Sequence, residues 1–158
     1  MALKEQLAAN LKDAMRASDA VRRDVLRSVL TAISNTEIAR VNVKVESASR
    51  QELNDGEVLD VIQKQAKQRR ESIDEYRKAA RTDLVEREEA ELVILSAYLP
   101  QQLSRDEVAA AVREVIAETG AAGPADKAKV MPAAIGRLKG RADGRLINEV
   151  VTELLGTR

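Results

Sequence analysis

Ten residues near the end of the chain, Gly136-Arg137-Leu138-Lys139-Gly140-Arg141-Ala142-Asp143-Gly144-Arg145, hold four cations between two apolar helical patterns. Cations at a corner between helices can straddle a phosphate backbone, so this spacing suits docking onto such a backbone or onto an acidic partner. With Lys127 and Lys129 upstream, the candidate phosphate-contacting set is Lys127, Lys129, Arg137, Lys139, Arg141 and Arg145. The plainer reading is a solvated turn in which Gly140 closes one helix and Asp143 starts the next.

The other polar clusters carry less chemistry. Glu86, Glu88, Glu89 and Glu91 resemble metal ligands only superficially, because a di-iron bundle needs Glu-x-x-His pairs and the chain has no histidine. They read as exposed acids. From Lys64 to Arg81 the charges repeat at i,i+4, as in Lys67 with Glu71, Arg70 with Asp74 and Asp74 with Lys78, which suits a solvated helix face. Tyr76 and Tyr98 lie at core spacing, so they are expected to pack rather than to stack on bases. The glycines Gly120, Gly123, Gly136 and Gly140 fit neither a P-loop nor a dinucleotide pattern and read as helix stops.

Composition narrows the field further. Cysteine and histidine are both absent, which excludes the usual zinc sites, thiol catalysis and imidazole proton shuttles. No catalytic residues, metal or cofactor are assigned. No apolar run approaches the ~20 residues that span a bilayer, so a cytoplasmic protein without a membrane segment is expected. Net charge is zero, yet the stretch from Asp83 to Glu118 is acidic and that from Thr119 to Arg158 is basic. Local sign guides partner choice more than the total does.

The elements that must position these residues are helices. With 44% apolar residues, 33% charged and only two aromatics, the 158-residue chain has an aliphatic core and favours an all-α fold. Leu3, Leu7, Leu11, Ala14 and Met15 form one stripe, and Val21, Val25, Leu26, Val29, Leu30, Ile33 and Ile38 a second after a break at Ser18-Asp19. The stretch from about Val41 to Gly56 loses the pattern and reads as a loop. A third helix runs from Asn54 or Asp55 to Ala80, burying Val58, Ile62, Ala66, Ile73 and Tyr76. Thr82-Asp83 opens a fourth, with Leu84, Val85, Leu92, Leu95 and Leu99, which ends at Pro100.

Ser104-Arg105-Asp106-Glu107 is a capping box that starts a fifth helix with Val108, Val112, Val115 and Ile116, ending near Gly120. A sixth, from about Asp126 to Leu138, carries Val130, Met131, Ala134, Ile135 and Leu138, with Pro132 expected to kink it or move its start. A seventh begins at Asp143 and buries Ile147, Val150, Val151, Leu154 and Leu155. The domains are expected at 1–99, a bundle of about four helices, and 103–158, a three-helix unit.

The ordered combination Gln63-Lys64-Gln65-Ala66-Lys67-Gln68-Arg69-Arg70-Glu71-Ser72-Ile73-Asp74-Glu75-Tyr76, Arg81-Thr82-Asp83-Leu84-Val85-Glu86, Glu89-Ala90-Glu91-Leu92, Tyr98-Leu99-Pro100-Gln101-Gln102-Leu103-Ser104 and Lys139-Gly140-Arg141-Ala142-Asp143-Gly144 resembles the YqeY family of small bacterial proteins over nearly the whole chain. The C-terminal unit of that family is similar to the tail domain of GatB, a subunit of the glutamine-dependent tRNA amidotransferase. There the tail grips tRNA while the kinase and amidase chemistry sits elsewhere. The chain departs from the family at Lys127-Ala128, where Met-Gly is usual, and at Pro132; Gly144 stands where GatB commonly has proline.

The resemblance implies a non-catalytic accessory protein that binds tRNA or another structured RNA by shape and charge. A rival reading is an amidotransferase-linked carbon–nitrogen ligase with glutamine as amido donor, against which the missing cysteine nucleophile argues. A third is a protein-docking module, in which the acidic helices and the basic tail bind other proteins or each other. The sequence leaves the oligomeric state open.

Overall fold

The computed structural model describes residues 1–43 and 51–156, with 42 and 43 described in backbone alone. Within them the chain is all-α, with helices α1 (Leu3–Arg16), α2 (Ala20–Val43), α3 (Asp55–Lys78), α4 (Thr82–Ser96), α5 (Arg105–Thr119), α6 (Lys127–Leu138) and α7 (Gly144–Leu155). A 3-10 turn, Pro124–Asp126, leads into α6. The chain forms two compact units, Met1–Leu99 and Pro100–Arg158.

In the first unit the leucine and valine stripes close on one another. Leu7, Ala14, Val25, Leu26, Val29, Ile33, Val58, Ile62, Ala66 and Leu95 are buried in one core. Helix α3 packs on α4 and α1 on α2, with α2 also touching α3 and α4. The margins of the stripes face solvent: Met15, Val21 and Ile38 are about half exposed. Tyr98 lies beyond the end of α4 and is half-buried against the core, its hydroxyl accepting from Asn10 Nδ2 at 2.7 Å. Tyr76 is likewise half-buried.

The loop expected from Val41 to Gly56 is shorter than its composition suggests. Residues 41–43 continue α2, while Asp55 and Gly56 belong to α3, whose capping box joins Asn54 and Glu57. Asn54 holds the start because its side chain accepts from the Glu57 amide as the Glu57 carboxylate accepts from Asn54 N. The rest of the expected loop, 44–50, lies outside the described residues.

Glu86 is exposed as expected, but two other acids of α4 are not. Glu88 and Glu91 are mostly buried, their carboxylates 3.6 and 2.9 Å from Arg69 Nε of α3. Glu89 pairs with Arg77 at 2.6 Å. Arg69 and Arg77 of α3 are thus shared with acids of α4, a pairing that single-helix periodicity does not register.

The second unit is a three-helix arrangement in which α5, α6 and α7 all touch one another. Its core is Val108, Val112, Val115, Val130, Ala134, Leu138, Ile147, Val150, Val151 and Leu155. Ser104 caps α5 with the expected box, Glu107 N donating to its hydroxyl while Ser104 N donates to Glu107. Gly120 ends α5 at φ 68°, a left-handed conformation that glycine adopts without Cβ strain. Pro132 neither ends nor delays α6, which runs from Lys127 to Leu138 through it. Pro132 lies on the exposed side of the helix and removes the amide that would donate to the Ala128 carbonyl.

Candidate nucleic-acid interface

The basic corner is built by the end of α6 and the start of α7. Arg141 N and Ala142 N both donate to Leu138 O, at 2.9 and 3.2 Å, folding the chain back as α6 ends. Gly140 takes φ 83°, so a side chain there would strain the turn. Asp143 caps α7, its carboxylate accepting from Arg145 N at 3.2 Å. Gly136, expected as a stop, lies inside α6.

The corner is also tied from outside. Gln102 Nε2 donates to Gly140 O at 2.9 Å and Leu103 N to Arg141 O at 2.8 Å. Two carbonyls of the turn are therefore occupied by the segment that enters α5. That leaves a fixed platform from which Lys139, Arg141 and Arg145, all exposed, project. The cap at Asp143 already places a carboxylate at the α7 N-terminus, so anion binding there must come from side chains.

The six sequence-predicted residues do not form one cluster. Lys127 and Lys129 stand at the first turn of α6, whereas Lys139 and Arg141 follow its last, roughly 15–20 Å away at 1.5 Å rise per residue. Lys129 lies 3.7 Å from Asp126, and Arg145 lies 3.7 Å from Glu149, which also faces Arg105 at 3.4 Å. Lys127 and Arg141 have no carboxylate within ion-pair distance among the described residues.

Arg137 differs from the others. Its Nη2 lies 2.5 Å from Glu118 and its Nη1 3.8 Å from Glu114, both acids of α5. Hydrogen bonding to Glu118 raises the guanidinium pKa above its ordinary value. Here a residue assigned to the basic tail pairs with the acidic fifth helix. Those acids are legible in the sequence as a block but their registry against α6 is not, since the packing of the two helices sets it. Asp126 has a depressed pKa, first because it accepts from the Ala122 amide and then through nearby Lys129, so it is charged wherever an ordinary aspartate is.

Among the described residues no group of His, Cys, Asp or Glu is arranged to hold a metal ion, and no helix is long and apolar enough to cross a membrane. The pattern of this chain, helices and corner together, matches the Yqey-like protein family over residues 4–155. The chain belongs to that family. Similar proteins of fungi carry the name altered inheritance of mitochondria protein 41, mitochondrial. That of Lachancea thermotolerans is 36% identical over 73% of this chain and 58% of its own length. That of Pyrenophora tritici-repentis is 29% identical over 97% and 81%, and that of Kluyveromyces lactis 36% over 76% and 62%. The Yqey-like chain thus spans little more than half the length of some relatives.

Proposed function

We propose that this Yqey-like chain is a non-catalytic accessory protein that binds tRNA or another structured RNA through the corner Lys139, Arg141 and Arg145, with Lys127 and Lys129 as a second contact. The observation that carries this reading is the corner itself: exposed cations on a turn whose carbonyls are held by Gln102 and Leu103. A positioned cation loses less freedom on meeting a phosphate than one on a mobile loop. The likeness of the C-terminal unit to the GatB tail names tRNA as the first RNA to try. Arg137 is left out of the contact set because two acids already claim it. The compartment in this reading is the cytoplasm.

Retardation of labelled tRNA by wild type and by K139E/R141E/R145E tests it. Wild type is expected to bind, with a salt slope that falls by about three when three phosphate contacts are removed. Equal retardation by both proteins would overturn the assignment. The pairing of Arg137 with α5 favours the protein-docking reading to a lesser degree. A partner pulled down equally well after nuclease treatment would move the conclusion there.

A further inference from the structure

Glu114 and Glu118 are four residues apart on α5, on one face of the helix. Two like charges at that spacing repel unless a cation lies between them. Arg137 of α6 fills that place, with one arm 2.5 Å from Glu118 and the other 3.8 Å from Glu114. The cluster carries one positive and two negative charges and is therefore net negative, in a unit whose neighbouring helix end is cationic. A phosphate approaching Arg137 competes with two carboxylates, the nearer of them, Glu118, held at 2.5 Å, whereas Lys129 pairs with Asp126 at 3.7 Å.

We propose that Glu114 and Glu118 are a negative specificity determinant, a guard that withholds Arg137 from RNA and confines phosphate contact to the corner after Leu138 and to the Lys127 end of α6. The inference rests on the RNA-binding reading above and adds to it which cation is excluded and by what. Loss of the two acids recruits Arg137 as one more phosphate contact. Loss of Arg137 by itself removes nothing the RNA was using.

The experiment is a mutational cycle of wild type, R137Q, E114Q/E118Q and R137Q/E114Q/E118Q, with affinity for bulk tRNA measured at two salt concentrations. The substituted side chains are all exposed, so the fold tolerates the changes. R137Q should bind within about twofold of wild type, while E114Q/E118Q binds more tightly. One added phosphate contact makes that advantage about three to four times larger at ~50 mM than at ~200 mM salt. In the triple variant most of the gain should disappear, because its source is Arg137.

A gain that persists undiminished in the triple variant would mean that the acids act only as general negative charge, and the guard is wrong. It is equally wrong if R137Q alone weakens binding as strongly as E114Q/E118Q improves it. Wild type that binds with an additive cycle overturns the guard alone. Failure of wild type to bind tRNA removes the RNA reading and the guard with it.

Discussion

At the scale of single residues, Glu37 shows what a local pattern cannot register. It lies on α2 and is completely buried, its carboxylate accepting from Lys4 Nζ at 2.8 and 3.1 Å and from Leu53 N at 3.1 Å. A buried carboxylate is tolerated only when paired and hydrogen-bonded. The pair ties α1 to α2, and the Leu53 amide ties in the chain just ahead of α3. Replacing Lys4 by methionine keeps the aliphatic stem and removes the ammonium that bonds both oxygens of the buried Glu37 carboxylate. The expected loss is about 2–3 kcal/mol in urea unfolding, less than for a fully sealed pair because Lys4 keeps some solvent contact. Lys12→Met, at an exposed site on the same helix, should cost under about 0.5 kcal/mol; equal losses would show that the buried pair contributes nothing specific.

At the scale of elements, two of the helix ends use the left-handed conformation without glycine. Ser18 and Ala80 both sit at φ 55°. After α3, Arg81 N donates to Tyr76 O at 2.9 Å, and after α1, Asp19 N donates to Ala14 O at 2.9 Å, so each closes the last turn of its helix. Alanine has no side-chain bond to offset the clash of its Cβ, a cost of about 1–2 kcal/mol. Ala80→Gly is therefore expected to raise stability, by about 1 kcal/mol once the extra freedom of glycine in the unfolded chain is subtracted. A thermal midpoint that falls instead would show that the Ala80 methyl makes a contact worth more than the strain. The sequence marks the α3–α4 break at Thr82-Asp83, but not the conformation on which it turns.

At the scale of the whole molecule, each unit has a core of its own. Residues Val108 to Leu155 of the second unit supply buried positions from all three helices, and its corner is closed by Gln102 and Leu103 of the same unit. A fragment spanning 100–158 is expected to stay helical and to melt cooperatively by circular dichroism, at reduced stability because so small a domain buries a smaller share of its surface. A fragment lacking Gln102 and Leu103 should be weaker still, since the turn carbonyls lose their donors. A coil-like spectrum from 100–158 would show that its valine-rich core does not suffice alone. RNA binding by the full chain should respond to salt but hardly to pH between about 6 and 8, because no histidine is present to titrate there.

The all-α class, the helix order, the Ser104 capping box and the family were legible in the residues, because each rests on short-range periodicity, on local hydrogen bonds or on ordered motifs. The true length of α2 and the buried state of Glu37 were not, because packing and solvent access decide them. The candidate interface divides along the same line. The sequence by itself determined that cations gather around Gly140 and that no histidine or cysteine chemistry accompanies them. Only the tertiary structure decided that Arg137 faces Glu114 and Glu118. Charge composition belongs to the chain, but the distance between charges on different helices exists only once those helices pack.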